Sequence, residues 1–352
     1  MKKARAVLII MACMLVCGTT TKSYAAEITM SPGVTSEMCE SEYWSEKANI
    51  APSTILMSTE EILHQNELNL GEPSTGEYDL DAMSTDERYL YGVVVKRTNI
   101  LSVPSDTYNY TVEDSYPKEM LSTMNVNEPF LVDRTKTQAG FFYGYSNHYE
   151  GWVNSKDVAI CSDRQEWKDA WKVELGDKDF IVVTQNKIYL EPSLTQEYSS
   201  ELMLGMGTVL KLVEDTKMSD ADFAERASWN NYAVYIPSMT ADGKYEKKAA
   251  LIPQHYSVSV GYLPMTQENI LQLAFSALGD RYGWGGMLGS NDCSYFAKQI
   301  YKCFGLDIPR DTGLIAAMPE CVTDVKGLSD EEKRIVTEGC LMNYYAAGYG
   351  AD

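Results

Sequence analysis

The sequence predicts an α+β chain of several domains, two small β-barrels followed by a mixed α+β domain, and three observations predict it. From Tyr89 onward, short β-rich runs ("YLYGVVVKR", "EPFLVDRT", "GFFYGYS", "GWVNSKDVAI") alternate with turn residues, as in a small barrel. That pattern then recurs once. At Thr266 the period changes to that of helices. A length of 352 residues accommodates two to four such units.

The first residues have the form of an export signal: cationic "MKKARA", apolar "VLIIMACMLVCG", and small residues in "SYAAE" for cleavage after Ala25 or Ala26. The apolar run is short for a membrane span, and no later segment competes with it. Lipid attachment at Cys13 or Cys17 fits less well, because bulky Val16 precedes Cys17 and little apolar sequence precedes Cys13. The expectation is therefore a signal peptide at 1–26, no integral membrane span, and export to a periplasm, cell wall or medium. Losing residues 1–25 removes four cations and no acids, taking the net charge from −20 to −24. Such a surface repels nucleic acid.

Residues 27–88 carry mostly helical signals, among them Ser58 and Glu61 in capping-box spacing. Residues 89–165 form the first β-module and 178–263 the second. "NILSVPSDTYNY" matches "KIYLEPSLTQEY", with Pro104 and Pro192 in equivalent places. "EPFLVD" is echoed by "GTVLKLVED", "FFYGYS" by "NYAVYIP", and "GWVNSKDVAI" by "AALIPQHYSVSV". The stretch "EWKDAWKVELGDKD" reads as a link between the copies.

In residues 266–352, Ile270, Leu273, Ala274, Ala277 and Leu278 define one helix face that ends at Gly279. A glycine-rich loop follows, then a second helix with Phe296, Ala297, Ile300, Cys303 and Phe304 on one side. Ser329 and Glu332 mark a third helix. Six cysteines lie beyond the signal without metal-type spacing, so neither a metal nor a cofactor is expected.

Ser290, Asn291 or Asp292 can cap the second helix, which puts Cys293 in its first turn. Unpaired N–H groups and the positive dipole end at such a position stabilise negative charge. A small buried apolar cysteine is the competing reading. The stretch "LGDRYGWGGMLGSNDCSYFAKQIYKCFGLDIPR" resembles the nucleophile half of the NlpC/P60 cell-wall cysteine peptidases. The resemblance rests on Leu278, Gly279, Tyr282, Trp284, Gly285, Gly286, Asp292, Cys293, Ser294, Pro309 and Arg310. Arg281 stands where the family has proline, and Tyr295 where it has glycine.

The resemblance implies two SH3-like barrels followed by a papain-like domain. It also implies Cys293 as nucleophile, Tyr282 as an oxyanion donor, and Asp292 and Ser294 as holders of a substrate amine. Peptidoglycan stem peptides are the implied partner, and a γ-D-glutamyl-diamino acid peptidase the implied activity. A contact residue from the first module is expected within "SVPSDTYNYTVED". Family members continue with apolar strands and a Gly-His, but no histidine follows Cys293 here. The resemblance therefore implies an incomplete catalytic domain with no catalytic histidine. His64, His148 and His255 read as ordinary surface or partly buried histidines. A non-catalytic wall-binding protein is the alternative reading.

Overall fold

A computed structural model describes residues 35–47, 51–70, 77–107, 116–214, 225–315 and 317–318. The signal region, the polar connector at 71–76 and the third helix expected near Ser329 lie outside the described residues.

Ahead of the β-modules come α1 (Ser41–Lys47), β1 (Ile55–Met57), α2 (Thr59–Asn69) and α3 (Leu80–Met83). The capping box of α2 forms as its spacing predicts: Glu61 N–H donates to Ser58 Oγ, and Ser58 N–H to Glu61 Oε2.

The first module holds β2 (Tyr89–Val94), β3 (Thr98–Leu101), β4 (Met120–Met124), β5 (Pro129–Gln138), β6 (Phe141–Tyr145), β7 (Glu150–Asn154) and β8 (Val158–Ile160). They form one antiparallel sheet in the order β4-β3-β7-β6-β5-β2-β8. The expected barrel does not close among the described residues. Both edges are taken by neighbours instead, which removes the drive to pair them with each other. The β4 edge lies under the glycine-rich loop, and Ile160 of β8 bridges to Lys244 of the second module.

The second module repeats part of the pairing, in three smaller sheets joined by the Leu212–Val234 bridge, and no barrel closes there either among the described residues. Its strands are β9 (Phe180–Val183), β10 (Lys187–Tyr189), β11 (Met203–Gly205), β12 (Val209–Lys211), β13 (Asn231–Met239), β14 (Tyr245–Pro253) and β15 (Val258–Val260). β9 pairs with β12 and β15, as β2 pairs with β5 and β8. β10 pairs with β11 as β3 with β4, and β13 with β14 as β6 with β7. The stretch read as a link contains a helix, α4 (Arg164–Trp171), capped by Asp163. Trp167 of that helix is fully buried against the first module and donates to the Gly92 carbonyl. An amphipathic helix needs an apolar surface to cover, and β2 supplies it.

After β16 (Met265–Thr266) come α5 (Gln267–Phe275), α6 (Cys293–Lys302) and the short α7 (Thr312–Ile315). α5 ends before Leu278, which is 56% exposed rather than part of the apolar face. Phe296 and Ile300 of α6, with Cys303 and Phe304 just after it, meet Leu273 and Ala274 of α5, Phe180 and Val182 of β9, and Ile62 of α2 in one core. Each large apolar side chain buried there contributes roughly 1.5–3 kcal/mol. The opposite face of α6 is buried too: Tyr295 and Gln299 meet Arg97 and Asn125 of the first module, and Lys298 meets Glu77 and the loop at Asp307. None of the helices among the described residues is long and apolar enough to cross a membrane.

Candidate active site

Asp292 is the residue that caps α6: its Oδ1 accepts from Tyr295 N–H at 2.8 Å. Cys293 is therefore the first helical residue, half-buried, with its Sγ 3.7 Å from Thr312 Oγ1. Thr312 is the one hydrogen-bonding partner of that sulfur among the described residues. The cysteine that caps the other end of the helix has the opposite environment. Cys303 lies in the core, and burial pushes its thiol up to about 12.

The glycine-rich loop turns where the chain must come close to β4. Gly285 and Gly286 have φ of +64° and +89°, and a Cβ on either would strike Met120 or Thr123 of β4 at under 3 Å. Thr123 Oγ1 donates to the Gly285 carbonyl at 2.8 Å, and Trp284 Nε1 to the Met120 carbonyl at 3.2 Å. Arg97, in the turn between β2 and β3, donates to the carbonyls of Gly286 and Ser290.

Beneath the loop lies a buried ionic core. Arg310 is 3% exposed and uses three nitrogens: Nη2 to Asp292 Oδ2 at 2.6 Å, Nη1 to Ser294 Oγ at 2.8 Å, and Nε to Ser122 Oγ of β4 at 2.9 Å. Asp292 Oδ2 also accepts Gly285 N–H at 2.9 Å. Burial opposes the guanidinium charge, but the Asp292 carboxylate outweighs it and holds the proton more firmly than usual. Tyr295, where the family pattern has glycine, lies between two cations, with Arg97 and Arg310 at 5.2 and 5.1 Å from its ring centre.

The loop after α6 is pinned from two further sides. Lys298 Nζ reaches Asp307 Oδ1 at 2.6 Å and also bonds the Ile308 carbonyl and Glu77. Burial raises the Glu77 carboxyl to about 8, while Lys298 keeps its proton through both acids. Asn66 and Asn69 of α2 bond the backbone at Gly305 and Asp307. The chain leaving this anchor delivers Asp311 and Thr312 to Cys293. Tyr149, which precedes β7, donates to both Asp311 oxygens at 2.9 and 2.8 Å.

The sequence-predicted residues thus converge, with differences. Cys293, Asp292 and Ser294 are together, but the polar atoms of Asp292 and Ser294 face Arg310 inside the protein. Tyr282 bridges by its backbone to Asn291, two residues before Cys293. Its ring is 6.1 Å from Tyr116, which stacks on Trp284 at 4.9 Å. Tyr116 lies just past the stretch expected to hold the first module's contact residue, of which 108–114 fall outside the described residues. Asp311, Thr312, Tyr149, Ser122 and Arg97 were not marked by the sequence; Arg310 was a motif match without a role. His148 is partly buried, with both ring nitrogens sealed from solvent. His64 lies on α2, and His255 in the turn before β15, its ring 4.2 Å from that of Tyr256.

An NlpC/P60 endopeptidase from Photobacterium damselae subsp. piscicida superposes with a TM-score of 0.50 at 18% identity, covering 79% of this chain and 56% of that one. The fold is NlpC/P60-like. An NlpC/P60 family protein from Bacillus cereus gives a TM-score of 0.46 at 18% identity, covering 68% of this chain and 80% of that chain. No protein-family model matches the sequence. Among curated proteins, the gamma-D-glutamyl-L-lysine dipeptidyl-peptidase of Bacillus subtilis is 30% identical over 89 residues. That match takes in 24% of this chain and only 30% of the relative's length.

Proposed function

We propose that this NlpC/P60-like chain is an exported cysteine peptidase of peptidoglycan stem peptides, cleaving after a γ-linked D-glutamate. The observation that carries the proposal is Cys293 as the first residue of α6, half-exposed beside the Thr312 hydroxyl. In this reading Sγ attacks the amide carbonyl, the amine leaves, and water releases the acyl group from sulfur. N–H groups at the start of α6 and the Tyr282 phenol favour the oxyanion. The name of the Bacillus subtilis relative supports the γ-D-glutamyl linkage.

Asp292 already accepts bonds from Tyr295, Gly285 and Arg310, so we assign it and Ser294 to fixing Arg310 and the loop behind the nucleophile. The substrate's free amine is assigned to Asp311, whose carboxylate adjoins Thr312. The stack of Tyr116 on Trp284 narrows the approach and favours short peptide ends. The test is incubation with L-Ala-γ-D-Glu-diaminopimelate. Released dipeptide that disappears with Cys293→Ala supports the proposal; release unchanged by that substitution refutes it.

A second reading is favoured by one observation. No described histidine bonds to Cys293, whose partner is a threonine hydroxyl that is a poor general base. In that reading the chain binds wall peptides through its β-modules without turnover. It predicts retention on purified peptidoglycan, no released peptide, and binding unaffected by iodoacetamide.

A further inference from the structure

Two backbone conformations single out a groove that the proposed reaction does not use. Among the described residues four other than glycine have positive φ, and two of them are asparagines, which tolerate it. The other two, Glu201 at +55° and Leu288 at +57°, line the same groove. Leu288 is also 89% exposed, so packing of its side chain does not offset the strain. Residues held in this way cluster at binding and switch sites. The groove lies between the two β-modules and meets the glycine-rich loop at Leu288 and Gly289. Its volume is about 1170 Å³, above the roughly 300–1,000 Å³ of ordinary small-molecule sites. The first module contributes exposed Lys96 and Lys156, in the turns before β3 and β8. The second contributes exposed Glu197 and Glu201, between β10 and β11. No ion pair joins these four to one another among the described residues; the two lysines act on the partly buried Asp157. The remaining charges of the lining are engaged: Lys248 pairs with Glu246, and Arg97 bonds the Gly286 and Ser290 carbonyls. Met203, Met239 and half-exposed Tyr189 add an apolar stretch, and thioethers adapt to irregular groups.

We infer that this groove is a second binding site, taking an extended peptide with carboxylates toward the first module and an amine toward the second. Complementary charge fixes the direction of the ligand: Lys96 and Lys156 match acids, Glu197 and Glu201 match an amine. A nucleic acid has no cation for the two glutamates, and a neutral sugar leaves all four charges unmatched. Leu288 and the two methionines suit the aliphatic parts of a peptide between its charges. The proposed function supplies such a ligand in an uncut, cross-linked stem peptide, which is too bulky for the approach narrowed by Tyr116 and Trp284. The inference rests on that reading for the identity of the peptide alone. The candidate active site then works on short ends while the groove holds the longer peptide.

The experiment is titration calorimetry on the full chain carrying Cys293→Ala, so that nothing is cut. The probe is a cross-linked stem-peptide dimer with both alanine amines acetylated and one diaminopimelate amine free. Acetylation removes the amine assigned to Asp311 and keeps the probe out of the candidate active site. Saturable binding that weakens with added salt is expected, because the contacts are exposed. Its absence in a folded chain overturns the inference, and so does binding that Asp311→Asn weakens as much as the groove substitutions do. Lys96→Glu with Lys156→Glu, and separately Glu197→Lys with Glu201→Lys, are each expected to weaken binding about fivefold, as two exposed charge contacts do. The two variants shift net charge in opposite directions. If one weakens binding and the other strengthens it, or neither changes it, the inference is overturned. Leu288→Gly is expected to weaken binding without lowering the melting temperature, because glycine accepts that conformation and little packing is lost. A lower melting temperature with unchanged binding overturns the role of Leu288. Absence of hydrolysis by the unsubstituted chain would instead count against the proposed peptidase and leave the groove measurements standing.

Discussion

The two β-modules share four strand pairings but sit differently toward Cys293. The first reaches the surroundings of Cys293 through four polar contacts: Thr123 to the glycine-rich loop and Ser122 to Arg310, both buried, and Arg97 to the loop and Tyr149 to Asp311, both part-buried. The second lends β9 to the core beneath α6 and holds the loop by part-exposed contacts, Lys187 to Asp280 and to the Gly289 carbonyl. One partly shared strand plan thus lines the candidate site in one copy and serves as a foundation in the other. The difference lies in side chains on turns and edges, where a repeated sheet tolerates change at little cost to its own pairing.

Three substitutions test that asymmetry, from the largest effect to the smallest. Arg310→Met strands the buried Asp292 carboxylate and cuts the link to Ser122. It is expected to cost about 3–5 kcal/mol in denaturant unfolding. A loss under 1 kcal/mol would mean that the first module is not anchored through this residue. Asn125→Ala comes next, because Asn125 is fully buried where both modules meet α6: it bonds Gln299, Arg97 and the Met206 carbonyl. Leaving these partners unmatched is expected to cost about 1–3 kcal/mol. Lys187→Met on the second-module side is expected to cost roughly 0.5 kcal/mol, as a part-exposed pair does. Burial opposes the Asp280 charge, but Lys187 and Asn186 prevail and hold its carboxyl below the usual range. The contribution of that pair is present above about pH 4 and fades as pH falls through the lowered value. A Lys187→Met effect as large as that of Arg310→Met would erase the contrast.

What could be read from the chain beforehand was local. The Ser58–Glu61 box, the Asp292 cap, Cys293 at a helix start and the apolar face through Phe296, Ile300 and Phe304 all depend on neighbours within a few turns. The repeated segments contain strands in the same order, and four of the pairings recur between them. What escaped reading depends on pairs far apart in sequence: Ser122 with Arg310, Tyr149 with Asp311, Asn125 with Gln299. The burial of Lys298 and Gln299 was hidden for a related reason. Polar residues on one helix face ordinarily mean solvent, and that face is turned inward by Asn125 of the first module over Gln299 and by Glu77 and the Asp307 loop over Lys298. The barrel expectation missed because the two sheet edges find partners outside the sheet.

The most direct test of the nucleophile assignment compares the cysteines at the two ends of α6 in the native chain. Brief iodoacetamide treatment at neutral pH, followed by peptide mass spectrometry, reports the alkylation rate of each. The account predicts that Cys293 reacts at least about tenfold faster than Cys303, because one thiol is half-open at the helix start and the other lies in the core with its proton held by burial. Equal rates, or a Cys293 left unmodified while the chain is folded, would contradict it.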